Sequence, residues 1–153
     1  MTIKNAPRSS GFTLVELVMV IILIGVLSAL GVGLFAGRSA FSPLLATQQL
    51  ASATLLVQQA ALAGNVANTL TIEQDGSNFR FIVGAGTSAS RTFELSREGA
   101  TLSAPGGLPL TITFNANGAP AAGANLEFTF TGDSTFDTCL SSLGAVYRGS
   151  CQP

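Results

Sequence analysis

The sequence has no histidine, only two cysteines, and a charge on about one residue in ten. Without histidine the most frequent general base is missing, and no Gly-rich phosphate loop of the P-loop type takes its place. Cys139 and Cys151 alone cannot make a Cys/His cluster with metal spacing. The chain therefore reads as non-enzymatic, with no cofactor and no metal. Seven basic residues stand against eight acidic ones, so no basic patch is available to follow a nucleic-acid backbone.

The scarce charge is unevenly distributed. Residues 17–35, LVMVIILIGVLSALGVGLF, carry none, and Ser28 is their single hydroxyl, whereas residues 65–153 are rich in Gly, Thr, Ser and Asn. This 19-residue run approaches the ~20 residues a helix needs to cross ~30 Å of hydrocarbon. Lys4 and Arg8 precede it, and basic residues flanking a first span stay cytoplasmic, which sends the C-terminal part outward. Outside the cytoplasm a disulfide is the natural reading of Cys139 and Cys151, two free thiols being the alternative. In the chain-entropy model such a loop closure stabilises by about 3 kcal/mol.

An ordinary secretory signal is cut after its hydrophobic region. Here the polar leader MTIKNAPRSSG comes before the apolar run, and the sharp junction is Gly11 followed by Phe12-Thr13-Leu14-Val15-Glu16-Leu17. A glycine before a scissile bond leaves no side chain to obstruct an enzyme working at the membrane surface. Glu16 is a carboxylate at the edge of a membrane helix, costly unless it finds a partner such as a positive charge; the alternative is solvation among lipid headgroups.

The segment from Gly11 to Leu17 resembles the N-terminal motif of type IV pilins and type II secretion pseudopilins. The resemblance implies cleavage after Gly11 by a prepilin peptidase and N-methylation of Phe12. It also implies that Glu16, fifth in the mature chain, registers subunits by meeting a neighbour's N-terminal amine. By the same likeness the partners are other pilin or pseudopilin subunits, membrane lipid, and an inner-membrane assembly platform driven by a cytoplasmic ATPase. The expected location is a single inner-membrane pass with a periplasmic head, then a pilus or pseudopilus. Many type IV pilins place a Pro where this chain has Gly33, a departure that weakens any role for a Pro-induced kink.

Gly25, Gly31 and Gly33 interrupt the run, each weakening an isolated helix by roughly 1 kcal/mol; close helix packing and ordinary membrane background are both open. Beyond Arg38, apolar residues recur at three and four positions among Gln, Thr and Ser, the mark of an amphipathic helix. Ser42-Pro43 suits a helix start or restart, and Gly64-Asn65 a stop near residue 63.

From residue 70, runs with period two alternate with turn residues: 70–73, 79–83, 92–95, 110–114 and 126–131. The fold class expected is α+β: a long N-terminal helix, then a small antiparallel sheet or sandwich. Domain boundaries follow as leader 1–11, membrane and assembly helix 12–37, amphipathic helix 38–64 continuing the stem, and β-rich head 65–153. Residues 118–123 form a small-residue loop, either an exposed tip or a hairpin connection. Asp133 and Asp137 supply two carboxylates, fewer than a calcium site of six to eight oxygens requires, and their stretch reads as a solvated turn.

The β-rich head is more like minor pseudopilins than major pilins. Residues 38–43, the Gln-rich helix and the terminal cysteines resemble minor prepilins of mannose-sensitive haemagglutinin pili. The functional expectation is a minor pilus subunit. The alternatives are a minor pseudopilin of a type II secretion system and a monomeric membrane-tethered binding module.

Overall fold

A computed structural model describes residues 12–35 and 38–152. The chain divides into two compact units at Gly37/Arg38.

The first unit is the helix α1, Leu14–Phe35. Its described side chains from Leu14 to Leu30 are all exposed, and a Cβ built on Gly25 or Gly31 meets nothing. A helix apolar on every side has no stripe for a single protein face and suits lipid or a helical bundle. Within that helix the glycines cause no break.

The second unit begins with α2, Arg38–Leu62. Its start corrects the expectation at Ser42-Pro43: Pro43 lies inside the helix, where its missing N–H forfeits one intrahelical bond. Tertiary contacts explain the placement. Pro43 is buried, and its ring stands so close to Gly132 that a Cβ there would come within 3.0 Å of Pro43 Cγ. The Ser42 hydroxyl is not a cap; it is shared between the carbonyls of Ser96 (3.0 Å) and Arg97 (2.9 Å). At the other end Asn65 N–H reaches the Ala60 carbonyl, Gly64 N–H reaches that of Ala61, and Gly64 takes φ +67°. This is a Schellman stop, and it needs a residue tolerant of the left-handed region.

Eight strands follow: β1 Thr69–Gln74, β2 Asn78–Val83, β3 Arg91–Ser96, β4 Thr101–Ser103, β5 Leu110–Thr113, β6 Leu126–Thr131, β7 Thr135–Leu140 and β8 Val146–Arg148. They form two antiparallel sheets, ordered β3-β2-β1-β5 and β4-β6-β7-β8. The chain crosses to the second sheet for β4, returns for β5, and crosses again for β6. Of the solvated turn expected around Asp133 and Asp137, Asp133 lies in the exposed bend between β6 and β7, whereas Asp137 belongs to strand β7, where Thr138, Cys139 and Leu140 are buried.

Alternation sets what each strand buries. Phe79, Phe81 and Val83 point inward from β2, and Phe128 and Phe130 from β6. Helix α2 brings Ala46, Leu50, Ala53, Val57 and Ala61 to the same core. The rings of Phe79 and Phe130 meet edge to face across the sheets at 5.8 Å between centroids, a geometry that adds ~0.5–1.5 kcal/mol beyond the area buried. Polar groups close the seam. Gln74 Oε1 accepts the Leu102 N–H at 2.6 Å, and the Arg97 guanidinium donates to the Ala100 carbonyl (2.7 Å) and to that of Asp75.

Candidate functional site

The expected cleavage residue Gly11 lies outside the described residues; the description starts at Phe12, which is 78% exposed. Thr13 caps α1. Its hydroxyl accepts the Glu16 N–H at 3.2 Å, while Glu16 Oε2 accepts the Thr13 N–H at 3.3 Å and the Thr13 hydroxyl at 3.2 Å. The Thr13 carbonyl accepts the Leu17 N–H at 3.1 Å and opens the helical ladder.

Thr13 and Glu16 thus make a reciprocal capping box, in which each residue satisfies a backbone donor that the helix start leaves free. The carboxylate also sits at the positive end of the helix dipole. The local need of Glu16 for a partner is met within its own chain, although the sequence alone points to an outside cation. The Thr-x-x-Glu spacing carries this information and is legible at 13–16. Both side-chain bonds fall on Oε2, so among the described residues Oε1 is left to accept a further donor.

The structure brings Cys139 and Cys151 together in a disulfide, with Cα atoms 5.0 Å apart. The closed loop contains β8, which pairs with β7 through Thr138↔Arg148, Cys139↔Tyr147 and Leu140↔Val146. The tail beyond the bridge is held further: Glu127 accepts the Cys151 N–H (3.1 Å), Tyr147 Oη accepts the Gln152 N–H (2.9 Å), and Asn125 donates to the Gln152 carbonyl (3.1 Å). The short segment between the cysteines, too small to have its own core, becomes part of a sheet.

Asp137 accepts the Thr129 hydroxyl at 2.8 Å across the β6–β7 pair. Among the described residues no group of three or more His, Cys, Asp or Glu side chains is arranged to hold a metal. Asp75 has a carboxyl held below the usual carboxylate range, first by the N–H groups of Ser77 and Asn78 (2.8 and 2.7 Å), then by Arg80. It closes the β1–β2 turn.

Sequence reasoning passes over Gln58. From α2 its amide donates to the carbonyl of Gly118 (3.0 Å) and to that of Gly144, tying two loops to one helix. Residues 118–123 are thereby a pinned connection, with Ala121 N–H also bonded to the Thr113 carbonyl (2.8 Å) and Phe114 bridged to Pro120. A glutamine among other glutamines gives no local signal of such a role.

Residues 7–32 match the model of the prokaryotic N-terminal methylation motif. No curated protein matches the chain. Among solved structures, the type IV minor pilin FimU of Pseudomonas aeruginosa is similar in two crystal forms. One aligns at TM-score 0.54 and 17% identity over 76% of this chain and 92% of FimU; the other at TM-score 0.50 and 16% identity over 69% and 90%. At that identity the likeness is one of fold. This chain therefore joins a prepilin-type N-terminal methylation motif to the fold of a type IV minor pilin.

Proposed function

We propose that the chain is a minor structural subunit of a type IV pilus, without catalytic activity. The observation that carries this reading is the methylation motif over residues 7–32, which takes in most of the apolar helix α1, a helix that any cleavage at Gly11 leaves attached to a separately folded pilin head. Prepilin peptidase cuts after Gly11, Phe12 is N-methylated, and the leader 1–11 is lost. Segment 12–37 anchors the subunit in the inner membrane with residues 65–153 in the periplasm, helix 38–64 extends the stem, and the subunit then polymerises through its helices.

Leaving lipid costs ~0.8 kcal/mol for each CH₂ exposed, so an assembly platform and a cytoplasmic ATPase supply the work. Other pilins re-cover the apolar surface in the filament. Residues 38–43 and the Gln-rich α2 favour a pilus of the mannose-sensitive haemagglutinin type over a secretion pseudopilus.

Intact-mass analysis of protein taken from native membrane or sheared filaments tests processing. The expected species begins at methylated Phe12 and is two hydrogens lighter for the Cys139–Cys151 bond. A chain retaining residues 1–11 overturns the reading. The role of Glu16 is tested separately, because Glu16→Gln retains the capping box but loses the charge, whereas Glu16→Ala loses both. If Glu16 registers subunits through a neighbour's amine, both variants fail to enter filaments. Normal entry of Glu16→Gln would leave it only a capping role.

A further inference from the structure

We propose that the cleft between α2 and the edge strand β8 binds a single carboxylate side chain, an Asp or Glu of a neighbouring pilus subunit. The partner rests on the pilus reading above; the carboxylate chemistry rests on the head alone.

Strand register builds the cleft. Thr138 of β7 stands opposite Phe128 of β6 on one side and Arg148 of β8 on the other. Residues directly opposite one another in an antiparallel pair share a face of the sheet, and Phe128 lies in the core to which α2 contributes. Thr138 and Arg148 therefore share the face that packs on α2. With Thr47 and Gln48 of α2 they line a cleft of about 200 Å³. β8 ends its sheet, so no further strand of the head lies beside Arg148.

The polar groups of this cleft are incompletely paired. Thr138 is 2% exposed, and its hydroxyl has no hydrogen-bond partner among the described residues. Leaving a buried hydroxyl in that state costs free energy that a bound acceptor recovers. Thr47, also buried, already donates its proton to the Leu44 carbonyl at 2.7 Å. Arg148 is exposed and makes no ion pair among the described residues, and no Asp or Glu lines the cleft.

Charge and size name the ligand. One guanidinium beside one unused O–H donor matches a carboxylate, whose two oxygens accept from both. A phosphate group, at a charge of about −1.5 to −2, calls for more cations than the single one here. The cleft also falls below the ~300–1,000 Å³ of sites that enclose a whole drug-sized ligand, and one carboxylate on a short stem fits it. A side chain presented by a neighbouring protein chain meets both limits.

The full chain, isotope-labelled and held in non-ionic detergent micelles, is titrated with N-acetyl-glutamate α-amide and with its glutamine counterpart, and the signals of Thr138 and Arg148 are followed by NMR. The glutamate probe should shift them saturably, the glutamine probe should not, and added salt should weaken the binding. Thr138→Val and Arg148→Met should each weaken it about tenfold or more. Thr138→Val should leave the Tm of the head unchanged or higher, because the hydroxyl has no partner to lose. In cells both variants should be processed normally and be depleted from sheared filaments.

Absence of a saturable shift, or equal shifts with both probes, overturns the carboxylate site and leaves the pilus reading intact. A clearly lower Tm for Thr138→Val means that the hydroxyl is already bonded within the head, and overturns it too. Tighter binding of free glucuronate than of the glutamate probe makes the ligand an acidic sugar and overturns the protein partner. Normal filament entry by variants that no longer bind the probe overturns the partner as well. A parent chain that retains residues 1–11 overturns the pilus reading, and the neighbouring subunit with it, whatever the probes show.

Discussion

Replacing Gln58 by leucine keeps roughly the bulk of the side chain and removes both of its donors. In the native head those donors satisfy the carbonyls of Gly118 and Gly144, two buried residues in loops far apart in sequence. Losing a net hydrogen bond costs ~1 kcal/mol, and an acceptor left buried without a partner costs ~1–3 kcal/mol. Because both loops border solvent, the lower values apply, and the expected loss is about 2–3 kcal/mol for the pair. For a unit of this size that lowers Tm by roughly 8–12 °C. Tyr147 is the only tyrosine and there is no tryptophan, so urea or thermal unfolding followed by tyrosine fluorescence reports the head even when α1 stays helical in a micelle. Hydrogen exchange should quicken first at residues 115–121 and 141–145. Gln58→Glu should be worse than leucine at neutral pH, since a carboxylate then faces two carbonyl oxygens. A leucine variant within ~0.5 kcal/mol of the parent, the range of inconsequential surface changes, would refute the clamp.

Phe130→Ala removes the β6 half of the edge-to-face contact with Phe79 and should cost ~3–5 kcal/mol, with the denaturant midpoint lowered and the urea slope unchanged. Cys139→Ser with Cys151→Ser should cost about 3 kcal/mol by loop-closure entropy and free β8 first, seen as early exchange of the Val146–Arg148 amides. The lowered pKa of Asp75 contributes stability that is fully present above the ordinary aspartate value and is lost as pH falls through the lower folded value. The stability difference between the parent and Asp75→Asn should accordingly hold at neutral pH and shrink in a titration carried below about pH 4.

Most of the strands were legible because period-two alternation is written in consecutive residues: Phe79, Phe81 and Val83 share one face of β2, and Phe128 and Phe130 one face of β6. β4 and β8, three residues each, are too short to show a period. β7 carries no clear apolar alternation in its own residues, since Thr135, Asp137 and Thr138 are polar. It is a strand because β6 and β8 pair with it on both edges, and neither neighbour is visible from its own residues. The candidate site divides in the same way. The Thr13–Glu16 box spans one turn and can be read directly, whereas Ser42 finds its acceptors 54 and 55 residues away and Gln58 finds its own 60 and 86 residues away.

What the sequence alone determined is local: an uncharged span long enough for a bilayer, a glycine and a carboxylate placed just before it, the Gly64 stop, and the faces of the longer strands. Each depends on spacing within a turn or two of chain. The tertiary structure decided how the strands sort into two sheets, why a proline is accepted inside α2, and which polar side chains tie loops to the helix. Those outcomes depend on closing long loops so that buried donors and acceptors meet, and a residue does not record in its own neighbourhood which distant carbonyl it will satisfy.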